Sequence, residues 1–336
     1  MNNPMPGTLP NDLPVILSLY GAAIVERAVQ NGANIDQVLA GTFLRRDALF
    51  DPDTYLPTAC VYAAIENAAQ LSNSPWLGAE IAEEFHHPSA TLRIKPGFVP
   101  RSVSDYIINY IIEAGKAQST VQHRLTVYSD RAAIIGERIF PTVPSSAQGD
   151  AWDIAAWVTI LRTLLAQSWD PASVQAWTTD PHAIPPRMLP ENVVNRGKVS
   201  GTRIEFPNTW LTIALKPGTF SVSDSQSEMS VRRPTVRDVF ATLDLSQVRS
   251  MEQLASFFGY SVRTFKRRLD DCGVKYSRLL EELRQRQAYW LLTETDTPIN
   301  EISRQLGYNN ASSFNRAFLN WKNMSPGNFR AEKQKA

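Results

Sequence analysis

The chain has 336 residues, 43% of them hydrophobic, and its 34 Lys+Arg nearly balance 33 Asp+Glu. This length exceeds the usual single core, and the apolar share is enough for more than one. No run of about 18 apolar residues occurs, so no transmembrane helix is indicated, and Cys60 and Cys272 fall in different halves, which argues against a structural disulfide.

Met1 to Leu13 is rich in Asn and Pro and has neither a basic leader nor an apolar stretch, which argues against a signal peptide and for a reducing, cytoplasmic compartment. Helical spacing of apolar residues then predicts helices over Pro14–Asn31, Thr58–Leu71, Trp76–Glu84, Ser102–Gln118 and Asp150–Gln167. Alternation predicts strands over Val121–Tyr128, Ala132–Ile139, Val174–Thr178 and Arg203–Phe206. This mixture, without a regular βαβ repeat, implies an α+β domain over residues 1–216. Its chemistry is sparse. There is no glycine-rich phosphate loop, no G-x-S-x-G and no Cys/His set with zinc spacing, so no catalytic residue, cofactor or metal is expected. His86-His87 reads as loop polarity ahead of a metal site, Arg93 and Lys95 as solvated edges ahead of contacts for an anionic effector, and Trp152, Trp157, Trp169, Trp177 and Trp210 as core ahead of the lining of an aromatic pocket.

Residues 217–234 are polar and serine-rich and read as a linker. A helix should open near Thr235, with Val236, Val239, Phe240 and Leu243 at helical spacing. From there to the C-terminus the sequence is a separate all-α domain, residues 235–336. Its charge differs from that of the first part: residues 245–336 hold 15 Lys+Arg against 9 Asp+Glu, whereas residues 1–244 hold 19 against 24. The near-neutral total thus hides a basic region, of the kind that gives salt-sensitive affinity for phosphates, joined to an acidic one.

Within the basic region one pattern occurs twice. Residues 251–260, MEQLASFFGY, align with 299–308, INEISRQLGY, and a polar helical segment follows each. In the first copy Ser250 and Gln253 have capping-box spacing, Met251, Leu254 and Phe258 make an apolar face, Ala255 leaves room for a crossing helix, and Gly259 suits a turn with positive φ. In the second, Thr297 is the expected N-cap, Pro298 the first helical residue, Ile299, Ile302 and Leu306 the inner face, Ser303 the small residue and Gly307 the turn. Each copy reads as a helix-turn-helix, over about 250–272 and 298–321. Between them, Tyr276–Thr293 contains no glycine or proline and predicts one joining helix.

On a wheel of about 100° per residue, Val262, Phe265, Leu269 and Cys272 face inward, while Arg263 and Arg267 lie opposite with Lys266 at their border. Phe314, Phe318 and Trp321 form the inner side of the later helix, and Ala311, Ser312, Asn315 and Arg316 the outer one. The outer residues are the expected DNA contacts, because Arg and Lys can bond the O6 and N7 of guanine in the major groove. Arg268 points off that face and is assigned to a phosphate contact or plain surface. Arginine on an amphipathic helix is ordinarily just solvated, so the reading rests on the duplicated unit and not on any one side chain.

These features together resemble the DNA-binding domain of the AraC/XylS family of transcription regulators. The resemblance is carried by the twin units, by Leu279, Leu283, Arg284 and Ala288 in the joining helix, by Gly307-Tyr308, by Phe314-x-Arg316-x-Phe318, and by Ser325-Pro326-x-x-Phe329-Arg330. Leu77-Gly78-x-Glu80-Ile81, the Ser102–Gln118 helix followed by a hairpin, and Phe206-Pro-Asn-x-Trp210-Leu make the first domain similar to the family's "arabinose-binding" sensor type. The resemblance implies double-stranded DNA and RNA polymerase as partners, a small-molecule effector, a homodimer with no membrane role, and promoter activation. A ligand-independent regulator whose first domain only dimerises is the alternative.

Overall fold

The computed structural model describes residues 13–85, 98–140, 146–197, 201–215, 234–248, 250–258, 260–271 and 273–333. The linker expected over residues 217–234, apart from Pro234, lies outside them, as do His86-His87, Arg93, Lys95, Gly259 and Cys272. The chain divides into two compact units, Met1–Thr42 with Asp47–Arg233, and Phe43–Arg46 with Pro234–Ala336. The short segment 43–46, grouped with the second unit, departs from a division drawn only near residue 217.

The described elements of the first unit are β1 (Val15–Leu17), α1 (Ser18–Gln30), α2 (Ile35–Leu39), α3 (Arg46–Leu49, whose first residue belongs to the second unit), β2 (Tyr55–Pro57), α4 (Thr58–Leu71), α5 (Leu77–Phe85), α6 (Val103–Ala117), β3 (Val121–Val127), β4 (Arg131–Arg138), α7 (Ala147–Leu165), β5 (Gln175–Thr178), β6 (Val194–Arg196) and β7 (Gly201–Pro207). Strands β3 to β7 form one sheet in the order β3-β4-β7-β5-β6, antiparallel except for the β5–β6 pair, and β1 and β2 form a separate antiparallel pair. The unit is therefore the α+β fold that its mixed patterning implies.

Local rules account for most boundaries. The Ser102 hydroxyl accepts the N–H of Asp105 at 3.2 Å and opens α6; the Ser146 hydroxyl accepts that of Gly149 at 2.8 Å and starts α7 three residues before the expected Asp150. Residues 15–17, expected to begin the first helix, are instead a strand paired with Tyr55–Pro57. Their apolar run has no period long enough to separate strand from helix.

Helix α7 is the centre of the unit. It packs on α5 and against β5 and β7, and buries Ile154, Ala155, Trp157, Val158, Leu161 and Leu164 around most of its circumference. Gly78 of α5 is where the two helices come closest: a Cβ there would sit 2.2 Å from the backbone oxygen of Gln148.

Near its start α7 also carries Asp150 and Asp153 into the interior. Asp150 pairs with Arg138 of β4, both side chains almost fully buried, and accepts hydrogen bonds from Thr179. Asp153 meets the His123 ring at 2.8 Å and accepts the Thr202 hydroxyl. Burial opposes charge on His123, yet the charge and hydrogen bond of Asp153 together hold its pKa above the ordinary histidine value. Burial likewise works against ionised Asp153, and His123 outweighs it, leaving that carboxyl below its usual range. Burial raises the Tyr62 hydroxyl, which bonds Arg138, to about 12.

A raised histidine pKa stabilises the fold fully below the unfolded value of about 6.5 and ceases to do so as pH rises through the folded value. Denaturant unfolding across that window should show the intact protein losing stability with rising pH, while His123→Gln, which cannot gain a proton, lacks that component; the same pH slope in both would rule out the His123–Asp153 pair as its source.

Candidate nucleic-acid interface

The second unit contains α8 (Val236–Ala241), α9 (Met251–Phe257), α10 (Val262–Asp271), α11 (Tyr276–Glu294), α12 (Ile299–Gln305), α13 (Ala311–Lys322) and α14 (Pro326–Lys333). Thr235 and Asp238 form a reciprocal capping box that starts α8. The duplicated sequence becomes two short helix pairs, α9 with α10 and α12 with α13.

The pairs close their turns in the same way. The N–H of Tyr260 bonds the Ala255 carbonyl at 2.7 Å, and the N–H of Tyr308, 48 residues on, bonds the Ser303 carbonyl at 3.0 Å. Such bonds, spanning five residues back, satisfy carbonyls that a helix end leaves without donors. Ala255 and Ser303 are both buried, as small residues at a close crossing must be. Gly307 has φ +72°, and a Cβ on it would lie 2.6 Å from the Leu245 oxygen, so both conformation and space require glycine there.

The second helix of each pair has a cap that the sequence reading overlooked. Ser261 accepts the N–H of Thr264 at 3.2 Å, and Asn310 accepts that of Ser313 at 2.8 Å. Both fit the ordinary signal of Ser or Asn just before a helix. The Ser250 hydroxyl caps α9 as expected, accepting the N–H of Gln253 at 3.1 Å. At the second pair the expectation needs correction: the helix begins at Ile299 with Pro298 as its capping residue, and Thr297 does not cap it. The Thr297 hydroxyl is instead paired with that of Thr295 at 2.9 Å.

Burial separates the two faces of each later helix. In α10, Phe265 and Leu269 are fully buried, whereas Arg263, Lys266 and Arg267 are exposed and Arg268 is half-buried. In α13, Phe314 and Phe318 are fully buried and Trp321 partly so; Ser312, Asn315 and Arg316 are exposed and Ala311 is half-buried. The inner side of α10 joins a stack of Phe240, Phe258 and Phe265 with centroids 5.4 to 6.1 Å apart. That of α13 packs with Ala288, Leu291, Leu292, Ile302 and Leu306. The apolar half locks each helix in place and leaves its polar half to solvent.

Helix α11 connects the pairs and is anchored at the second. Arg284 donates from Nε to the Leu306 carbonyl at 2.9 Å and from a terminal nitrogen to the Gly307 carbonyl at 3.2 Å, with its guanidinium 4.8 Å from the Tyr308 ring centre. Arg330 of α14 reaches the carbonyls of Leu291 and Thr297 at 3.3 and 2.7 Å, tying the end of α11 to the entry of α12. These two arginines act on backbone, not on a ligand.

Residues 254–332 match the family model described as a helix-turn-helix domain. The ornithine utilization regulator of Pseudomonas aeruginosa is 28% identical over 176 residues, 44% of this chain and 48% of that protein, so the match spans about half of its length. The HTH-type transcriptional regulator Rv1395 of Mycobacterium tuberculosis is 22% identical across 96% of this chain and 98% of its own, and the transcriptional activator CfaD of Escherichia coli is 31% identical over 31% and 38%. Residues 254–332 are thus a helix-turn-helix domain of the AraC type, and the proteins that the chain resembles are named as transcription regulators. These relatives are regulators and not enzymes.

Arg284→Ala should lower the unfolding free energy of this helix-turn-helix domain by about 1–3 kcal/mol, since it leaves two carbonyls without their charged donor. Arg278, whose ion pair with Glu282 at 3.1 Å is exposed, should be replaceable by Ala with little effect; equal losses for the two variants would contradict the anchoring role.

Proposed function

We propose that the two helix pairs are twin helix-turn-helix units and that α10 and α13 are their DNA-reading helices. The observation that carries this reading is that each helix buries its aromatic side against its partner helix and α8 or α11 while its polar side is exposed. Arg263, Lys266 and Arg267 of α10 and Ala311, Ser312, Asn315 and Arg316 of α13 then meet base edges, and Arg268 a phosphate. The α11 helix, 19 residues or about 28 Å long at 1.5 Å per residue, is of the scale needed to set the two near one DNA turn apart, roughly 34 Å. The α10 face carries more positive charge and contributes more of the salt-dependent affinity; the α13 face reads by smaller polar groups.

The first unit, residues 1–216, acts in this proposal as an effector-sensing and dimerising domain of the "arabinose-binding" type, joined by the linker at 217–234 to the reader at 235–336. A small molecule shifts the balance between regulator conformations by binding them unequally. The name of CfaD, a transcriptional activator, supports activation; RNA polymerase as a partner, a homodimer and a cytoplasmic location complete this reading.

Fluorescence anisotropy on the upstream region of the protein's own gene tests the reading helices. Arg267→Ala and Arg316→Ala should each weaken specific binding by about 1–3 kcal/mol and relax preference at one base position, while Arg268→Ala should weaken all sequences alike and reduce the salt slope by about one. Unchanged affinity in both of the first two variants would remove these residues from the reading faces.

A further inference from the structure

Residues 43–46 belong to the second unit, although the residues on either side of them, Thr42 and Asp47, belong to the first. They enter it as a strand. Leu44 forms an antiparallel bridge with Leu243, the Arg45 N–H donates to the Thr242 carbonyl at 2.9 Å, and the Asp244 N–H donates to the Phe43 carbonyl at 2.7 Å. The Phe43 N–H donates to the Gln247 side-chain oxygen at 3.3 Å, and that carboxamide is oriented by its own donation to Asp244 at 2.9 Å. The Arg45 guanidinium reaches the Ala241 carbonyl at 3.4 Å, so that backbone and side chain of Arg45 both serve carbonyls at the C-terminal end of α8. The Phe43 ring meets that of Phe257, the last residue of α9, edge-on with centroids 4.7 Å apart.

Two features make this seat one that can be left. Phe43 has φ +59°, a left-handed conformation that a bulky side chain adopts only where its surroundings hold it there, and release lets it return to an ordinary one. The seat also shares α9 with the first helix pair: Phe257 directly precedes Phe258, whose ring stacks on Phe240 of α8 and on Phe265 of α10. Occupancy of the seat therefore bears on how α10 is held. It does not cover the outer face of α10, since Arg263, Lys266 and Arg267 are exposed with the segment in place. The docked segment supports that face and does not block it.

We infer that residues 43–46 are a clasp, an extended segment docked on the end of α8 and on α9, and that its docking favours the DNA-reading arrangement of α10. Both ends of the segment continue directly into the first unit, so a change there that withdraws it weakens the reader and leaves the DNA-facing side uncovered. The clasp rests on the reading role proposed for α10. By linkage, a docking that favours DNA binding is itself favoured by bound DNA.

Hydrogen exchange on the full chain, read by mass spectrometry over peptides covering residues 43–47 and 241–248, tests the docking. Phe43→Ala and Phe257→Ala should each speed exchange of both peptides by about threefold to tenfold, the scale of one aromatic pair, and the double variant should fall well short of the product of the two. Exchange over Thr58–Leu71 should stay as it is. Phe257→Ala lies in α9 and keeps the test valid should Phe43→Ala disturb the first unit. In the unaltered protein, exchange of the 43–47 peptide should slow when a duplex from the upstream region of the protein's own gene is bound, and both single variants should bind that duplex about threefold to tenfold more weakly. Exchange of 43–47 unaltered by Phe257→Ala, a double variant equal to the product of the singles, or exchange unchanged or faster on DNA would each overturn the clasp. If Arg267→Ala weakens DNA binding while neither phenylalanine variant does, reading by α10 stands and the clasp's part in it falls; if the exchange coupling holds while none of the three weakens binding, the docking stands and reading by α10 falls.

Discussion

Helix α11 organises the later part of the second unit because its middle and its C-terminal end are both tied to the second helix pair. Arg284 carries a guanidinium to the Leu306 and Gly307 carbonyls, which are among the groups that a helix C-terminus leaves without partners. A lysine could not bond both carbonyls with the same planar fork. Arg330 closes the other side by bonding Leu291 and Thr297. With α12 held in this way, the fully buried Phe314 and Phe318 leave α13 one orientation in which its aromatic side remains out of water. Any reading of DNA by α13 thus depends on contacts that never reach the DNA.

The first unit solves a different problem. Its sheet and α7 bury an arginine, a histidine and two aspartates together, and such a group is costly unless its members satisfy one another. They do so in pairs, Arg138 with Asp150 and His123 with Asp153, and the tyrosine and threonine hydroxyls take part. Well-packed apolar residues would be at least as stable in that place. The retention of charge in the wall of a cavity of about 100 Å³ is what directs attention to ligand binding in this unit rather than to dimerisation alone.

Sequence periodicity reveals most of this architecture because long amphipathic elements declare themselves. Thr58–Leu71 is read to the residue, and α11 ends one residue beyond its expected limit. Strands β1, β2 and β6, of three residues each, are too short to express a period, and β1 runs into the apolar pattern of α1. The exposed and buried sides of α10 and α13 follow from helical spacing, while the work of Arg284 does not, since a side chain bonding backbone 22 residues away leaves no local pattern. The polar cluster of the first unit did leave a signal. Arg138 shares the strand phase of Ile134 and Gly136, and Asp150 and Asp153 stand in an otherwise apolar helix; polar residues at inward positions mark either a structural network or a site.

The central claim is that one chain presents two reading helices to a duplex at a separation fixed by α11. Hydroxyl-radical footprinting on a bound site and on the same site with about five base pairs, half a helical turn, inserted at its centre tests this directly. A rigid α11 predicts that the insertion carries one half to the opposite side of the duplex, so that protection contracts to a single half and affinity falls towards that of one helix pair. Protection of both halves at undiminished affinity would show that the two pairs move independently, and would contradict the account.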